Sequence, residues 1–502
     1  MIGSRVQNIS FSRVFWKSVT TSSITQSSHS KKRKSDIAKP NINNNKMAEL
    51  TAAKVEAFKA EFNSDPKNKL AQNVAYKFDP LEVCVDSSIV QETQHAFQHK
   101  IADCKPISNQ KNSGRCWIFA CLNVMRNPFM KKVNIEDFEF SQSYLFFWDK
   151  VERMNYFLHT FVEVFRRGEP VEGRLVSFLL SDPTCDGGQW DMLTNLIEKY
   201  GVIPRKCFAE SHTSCASRRM NLTLKSKVRG YAKQLQEMVQ NKASDEEINK
   251  EITKMVAEVY RICSICLGTP PSTITWEYHD KNKAYHKVGP IAPKAFYEEY
   301  VKPVFNLQDK ICIVNDPRPS NGYGKAYTVE YLSNMVEGRK TVYNNQPIEL
   351  LKKVSLEMIK SGEPVWFGCD VGKHFTGKTG LLDLKAVNYD LVFGVTLPAL
   401  DKANRLIFGE SLMTHAMVLT GVSTEEKTEG DSETSQTTKW RIENSWGEER
   451  GDKGYLLMTD DWFSEFVYEV VVDKKFLSQE IMDVLQQDPV VLPAWDPMGS
   501  LA

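Results

Sequence analysis

Nowhere in these 502 residues does an apolar run approach the roughly 18 residues that a membrane-spanning helix needs. A soluble protein with no membrane partner is therefore expected. Net charge is almost absent as well. The 64 Lys and Arg stand against 63 Asp and Glu, a formal +1, which argues neither for nor against a nucleic-acid partner because a local basic surface can hide in a neutral total. No secretory signal peptide opens the chain, and its eleven cysteines are an odd, scattered set. Both absences speak against a disulfide framework and for reduced thiols in an intracellular compartment. Cys263 and Cys266 make a CxxC with no second CxxC to complete a zinc site, so they read as helix-packing cysteines and no metal is expected. No internal repeat is present. The first 35 residues contain neither Asp nor Glu.

What is there is ordinary globular material, 41% hydrophobic and 25% charged. It is long enough that more than one packing unit is expected. Residues 1–46 stand apart. Arg5, Arg13 and Lys17 lie among abundant Ser and Thr, the composition of a mitochondrial transit peptide. Lys31-Lys32-Arg33-Lys34 reads alternatively as a nuclear signal, and a disordered extension is the bland alternative. A start at Met47 would give a cytosolic form without it. Globular patterning begins near Thr51, with a helix over Thr51–Phe62. Cys116–Met125 reads as a buried helix, and Ser141–Arg166 is aromatic-rich core. Leu222–Leu267 carries Leu235, Met238, Ile248, Ile252 and Met255 at helical spacing, predicting two or more long helices. Strand-like runs follow at Ile311–Val314, Val365–Gly368 and Met417–Gly421. Thr424–Thr438, polar and acidic with no apolar core residue, reads as a surface loop.

The chemistry is carried by four residues. In Gln110-Lys-Asn-Ser-Gly-Arg-Cys116-Trp117, a loop runs into an apolar helix at Cys116. Unpaired N–H groups at a helix start favour an anion there and raise a thiol's thiolate fraction. That suits a nucleophile, whereas Cys121, inside the helix, suits a structural thiol. Of nine histidines, His415 begins a strand of small and apolar residues, which would hold its ring rigidly as a general base. Asn444, at a strand end before Ser445-Trp446-Gly447, offers an amide oxygen to fix the imidazole tautomer, with Trp446 placed to cover that bond. The Gln110 side-chain amide and the Cys116 N–H are candidate oxyanion donors.

In the order Gln110, Cys116, His415, Asn444, with Asn444-Ser445-Trp446-Gly447 intact, the chain resembles the papain-like cysteine peptidases and their Cys-His-Asn triad. Cys185-Asp-Gly187-Gly188 is similar to that group's substrate-binding Gly-Gly segment, and Ser141-Gln142 to its usual helix start. The departures are Ser113 and Arg115 where papains and cathepsins carry a cysteine and a small residue. The histidine also lies far beyond the usual 130–150 positions. The resemblance implies an α+β papain-like fold, a helical subdomain plus a β-barrel-like one, with a large helical insertion at about 215–345. A narrower resemblance, over nearly everything after Met47, is to the bleomycin hydrolase family. It rests on the spacing, on Met413-Thr-His415-Ala-Met417 and on the ending Leu492-Pro-Ala-Trp-Asp-Pro-Met-Gly-Ser-Leu-Ala502. It implies a core over 47–490 and a C-terminal arm, 491–502, entering the active site. It also implies a homohexamer with its active sites facing an internal channel, and an Ala502 carboxylate that pairs with the substrate's free amino group. Leu492, Trp495, Met498 and Leu501 with two prolines favour a packed arm over a disordered tail.

The function read from this is a cysteine aminopeptidase without metal or organic cofactor, acting on peptides with a free N-terminus. By the resemblance its substrates include bleomycin's β-aminoalanine amide and homocysteine thiolactone. Cytoplasmic placement is implied, with a mitochondrial form through residues 1–46. Binding of nucleic acid by Lys225, Lys227, Lys233, Lys250 and Lys254 is a weak alternative, because Glu246, Glu247 and Glu251 are interleaved. An inactive scaffold, a transglutaminase-like or thioesterase enzyme and an endopeptidase are the competing readings.

Overall fold

The computed structural model describes residues 48–397, 399–429 and 432–501. The extension 1–46, with its targeting readings, and Ala502 lie outside them. The described part divides into two compact units, one ending at Ser64 and one beginning at Asp65. The first contains the helix Ala52–Ser64, which buries no residue.

The helical side of the second unit is built around Cys116–Val133 and Gln142–Arg166. The first ends where Asn134 takes the left-handed conformation, φ 56° and ψ 46°, which Asn tolerates better than most residues. The second starts where the Ser141 hydroxyl accepts from the Tyr144 N–H at 3.1 Å, a side-chain N-cap. Both bury most of their length, with Trp117, Phe146, Phe147 and Phe161 in one core. Two long helices, Arg218–Gln240 and Asp245–Leu267, pack on Gln142–Arg166. A capping box of Ser244 with Glu247 starts the second of them. Cys263 is buried in it and Cys266 lies one turn on, half-buried. The long helices of this stretch stop at Leu267, and only short ones, such as Pro293–Phe296, follow before residue 310. Beyond a hairpin, Ile274–His279 with Tyr285–Ile291, residues 310–345 supply strands to the main sheet.

That sheet has twelve strands among the described residues. Its order runs Val490–Leu492, Lys325–Val329, Tyr343–Asn345, Lys310–Val314, Val467–Asp473, Val365–Cys369, His415–Glu429, Ser432–Glu443, Tyr455–Thr459, Leu381–Leu382, Phe375–Thr376, with His99–Lys100 on the His415 strand. One face packs a second core, with Phe367, Leu419, Trp440 and Trp462, against the helix Ile348–Lys360. The α+β class and papain-like architecture are as the sequence implies. The site sits where the helix beginning at Cys116 meets the strand beginning at His415.

One expectation is corrected. Thr424–Thr438 is not a loop. His415–Glu429 and Ser432–Glu443 pair through it, with Thr424 opposite Thr437 and Glu426 opposite Ser435. The ribbon carries Thr, Ser and Glu on alternating positions, so no apolar period of two betrays the strands.

Candidate active site

Cys116 opens its helix, and its N-cap residue Arg115 makes no side-chain capping bond. The first N–H groups are thereby left free to serve the site. The N–H groups of Ala416, Trp117 and Cys116 itself point at the sulfur and pull its pKa down. Burial outweighs them and pushes the thiol up to about 11. Cys116 is 2% and His415 4% exposed. The same burial lowers His415 to about 4, opposed by Asn444. His415 Nε2 lies 2.9 Å from Asn444 Oδ1. An amide oxygen only accepts, so Nε2 carries the proton and Nδ1 is left basic. Trp446 stacks on the imidazole at 4.8 Å and 28°. Gly447 makes the turn at φ 79°. A Cβ there would lie 2.5 Å from the Asn109 amide nitrogen.

Gln110 is brought to the same place and clamped. Its backbone N–H donates to Ser445 O at 2.8 Å. Its Oε1 accepts from the Ser445 hydroxyl at 2.6 Å, and its Nε2 donates to Ser113 O at 2.7 Å. One amide N–H remains unspent. The Gly187-Gly188 segment packs on the nucleophile helix. A Cβ at Gly188 would lie 2.7 Å from the Trp117 ring, and Trp117 Nε1 donates to Asp186 O at 2.7 Å.

Several supports of this segment escape a motif search. The Lys150 ammonium donates to Thr184 O and Cys185 O at 2.8 and 2.9 Å and pairs with Asp186 at 2.9 Å. Arg153 donates to Gly187 O at 2.8 Å and pairs with Asp149. Although burial opposes it, Lys150 holds Asp186 down to about 2. Asp186 also accepts from Gly114 N at 3.2 Å and from Asn221 at 2.6 Å. The signal was present as charges inside an apolar helix, Asp149, Lys150 and Arg153, which stay buried only when paired.

The C-terminal arm is packed. Val490–Leu492 adds to the sheet edge beside Lys325–Val329. Asp496 accepts from Arg318 at 2.8 and 3.1 Å, and Arg174 lies over the Trp495 ring at 4.2 Å. Ser500 O then accepts from Gln189 at 2.6 Å, and the Ser500 hydroxyl donates to Met413 O at 2.8 Å. Gln189 follows Gly188 and Met413 precedes His415 by two positions. The arm thus ends between the two walls that carry the substrate-binding segment and the base.

A Cys, a His and an Asn converge at the junction of a helical and a sheet core, which is the arrangement of a papain-like cysteine peptidase. Residues 49–499 match the model of the Peptidase C1-like family. A bleomycin hydrolase of Gallus gallus is 60% identical over 454 residues, 90% of this chain and 99% of that protein. An aminopeptidase C of Listeria monocytogenes is 39% identical over 454 residues, with the same two shares. The crystal structure of PepW from Lactobacillus rhamnosis is 41% identical, with a TM-score of 0.84, covering 91% of this chain and all of that one. The chain belongs to the Peptidase C1-like family, as a cysteine aminopeptidase of the bleomycin hydrolase type.

Proposed function

We propose that the protein removes N-terminal residues from peptides through a thioester on Cys116. His415 Nδ1 takes the thiol proton, and the thiolate attacks the carbonyl carbon. The oxyanion is held by the Cys116 N–H and the unspent Gln110 N–H. The imidazolium protonates the leaving amine, and neutral His415 then activates the water that hydrolyses the thioester. Asn444 keeps the tautomer that this requires. No metal or organic cofactor enters the reaction. The observation that carries the exopeptidase reading is the seat of the arm between Gln189 and Met413. From there a carboxylate on Ala502 would meet a substrate ammonium and block longer extensions, with Gly187 and Gly188 pairing with the substrate backbone. The relatives' name points to bleomycin as one amide substrate, and homocysteine thiolactone fits the same acyl transfer.

Self-assembly is part of the reading. Leu391 is 77% and Phe408 73% exposed, with Val395, Leu397 and Ile407 also exposed nearby in the chain. The helix Tyr389–Phe393 abuts Pro66–Ala75 and Pro80–Val83, next to the exposed Tyr76, Phe78 and Leu81. Such an apolar face fits burial against further copies, as in a homohexamer. Of the lysines considered for nucleic acid, Lys225, Lys227, Lys233 and Lys254 each pair with a carboxylate. A cytoplasmic enzyme with a mitochondrial form fits a basic extension whose first 35 residues carry no Asp or Glu and which lies outside the span 49–499 matched by the family model.

The test compares a free aminoacyl reporter amide with its acetylated twin, using the full chain and a truncation lacking Leu501-Ala502. A strong preference for the free amine that collapses on truncation is expected. Equal cleavage of both reporters by both proteins would make this an endopeptidase. Full activity in a folded Cys116→Ser variant would overturn the thioester mechanism.

A further inference from the structure

Glu469 lies in the strand Val467–Asp473, paired to Val314 on one side and Gly368 on the other. It is 1% exposed, and its carboxyl meets no nitrogen or oxygen donor; only the weak donor of the Cys312 thiol lies against it among the described residues. Buried carboxylates are ordinarily paired, and among the described residues no cation pairs with this one. The proposed reaction makes no use of it. Its side chain borders a cavity of about 10 Å³ with Tyr343, Met413, Tyr468 and the arm residues Pro497 and Met498, about the space of one water. Pro497 and Met498 of the arm therefore form part of the cavity wall beside Glu469. One wall is Met413, which lies over Gly368 and accepts from Ser500.

The titratable groups around it leave it without a counter-charge. Asp191, on the helix Trp190–Tyr200, is pushed up to about 6 by burial and pairs with Arg339 at 3.0 Å. Cys312 and Tyr343, from neighbouring strands, are both raised by burial and stay neutral. Tyr468, next in the chain, is raised too. Asp496 on the arm is held by Arg318. Burial pushes Glu469 up to about 8, against the Cys312 thiol and with the Asp191 carboxylate.

We propose that Glu469 sets the enzyme's substrate specificity: uncharged, it lets Pro497 and Met498 seat over it and keep the arm in the cleft, and ionised, it unseats the arm and admits peptides without a free N-terminus. The inference rests on the reading that the arm is what excludes blocked N-termini.

The sign follows from linkage. A lifted arm lets water reach Glu469, whose proton affinity then returns toward its ordinary value of 4.5. The seated form holds a proton that the lifted form gives up. Seating is firmest below about pH 4.5, weakens as pH rises above it, and levels off above about pH 8. Between pH 6 and pH 8 the seating constant falls by up to about 50-fold.

The experiment measures kcat/KM for the acetylated reporter divided by kcat/KM for the free one, at pH 6 and pH 8, in wild type, Glu469→Gln and the truncation lacking Leu501-Ala502. Titration of the reporter amine and of the triad cancels when wild type and variant are compared at one pH. The wild-type ratio is expected to rise with pH by up to about 50-fold relative to Glu469→Gln, which stays uncharged and flat. An equal rise in both proteins would assign the effect to another group, such as Asp191, and overturn the proposal. If truncation leaves the ratio at its wild-type value, the arm reading itself fails, whatever the Gln variant does. Should Glu469→Gln not fold, carboxypeptidase release of Ala502 and Leu501 from the wild-type enzyme decides. Read by mass and normalised to a free peptide of the same tail, release is expected to be faster at pH 8, and equal normalised rates overturn the proposal.

Discussion

The Ser445 N–H donates to Asn444 Oδ1 at 2.8 Å, but its hydroxyl goes to Gln110 instead, and in the proposed mechanism that gives the side chain a measurable part in catalysis. The Gln110 amide is buried, and its orientation is set by two bonds: Oε1 from the Ser445 hydroxyl at 2.6 Å and Nε2 to Ser113 O at 2.7 Å. The second Nε2 hydrogen is aimed by those two. Ser445→Ala removes one of them and leaves a buried carbonyl oxygen without a donor, at about 1–3 kcal/mol of stability. A net hydrogen bond of about 0.5–1.5 kcal/mol lost from the aim of the oxyanion donor corresponds to about a 2- to 13-fold fall in kcat. Gln110→Ala removes the donor itself and is expected to cost about 10²- to 10³-fold. The decisive quantity is the cycle. Once Gln110 is gone, Ser445 has nothing to aim, so adding Ser445→Ala to Gln110→Ala should leave kcat nearly unchanged. Saturation kinetics on the free-amine reporter for the four proteins, with a melting curve for each, gives the coupling. An undiminished Ser445→Ala loss in the Gln110→Ala background would refute the clamp and place the serine's effect elsewhere, for instance in the turn that holds Asn444.

Three further outcomes follow from the same structure. Gly188→Ala puts a Cβ 2.7 Å from a Trp117 ring that is pinned by its own N–H bond. Overpacking of about 1–3 kcal/mol should lower Tm and, by shifting the helix that begins at Cys116, kcat/KM; unchanged values of both would refute it. Lys402 is buried, and burial lowers its pKa from 10.5 to about 7, with Ser464 O and Val467 O accepting from it. A depressed lysine is neutral when folded and charged when unfolded between those values, so stability rises with pH across that window. Relative to Lys402→Met, wild-type stability should therefore gain about 1.4 kcal/mol per pH unit from pH 7.5 to 9.5 in urea titrations, and parallel pH curves would refute the assignment. Finally, Leu391→Asp with Phe408→Asp should lower the particle mass in light scattering while the protomer still folds; an unchanged mass would remove that face from any interface between copies.

How much of this was legible in the chain varies with the kind of signal. Cys116, His415 and Asn444 were readable because each stands at an element's edge with a chemically specific neighbourhood, and the structure gathers them. The helices Arg218–Gln240 and Asp245–Leu267 were readable because a period of 3.6 survives Lys and Glu on the outer face. The ribbon through Thr424–Thr438 was not, since both its faces are polar and strand identity then lies only in pairing. Ser445 was visible as a letter in Asn-Ser-Trp-Gly, but its clamp joins residues 335 positions apart, a contact that no local pattern carries. Glu469 was hidden for the opposite reason. Within Val467–Asp473 it is a lone carboxylate in an apolar run, and nothing local shows that Cys312, Tyr343, Met413 and the arm close around it.

The departures from the papain pattern at Ser113 and Arg115 have a common physical account. Where papains and cathepsins carry a cysteine and a small residue, this loop is held by a chain of polar contacts. The Ser113 hydroxyl donates to Gln110 O at 2.7 Å, Arg115 Nε donates to the Ser113 hydroxyl at 2.9 Å, and the Arg115 guanidinium pairs with Glu210 at 2.9 Å. Arg115 is fully buried, its charge lying near the Phe119 and Phe146 rings at 5.1 and 5.3 Å. Burial works against ionising Glu210, yet Arg115 holds its pKa below the ordinary value. A buried cation tolerates no loss of its partner, since an unpaired one costs about 3–5 kcal/mol, and that intolerance fixes the loop without a covalent bond. The tether runs from Glu210, beyond the helix Trp190–Tyr200, through Arg115 to the carbonyl of Gln110. One network therefore ties the start of the nucleophile helix and the Gln110 loop together, and none of it depends on an oxidised cysteine.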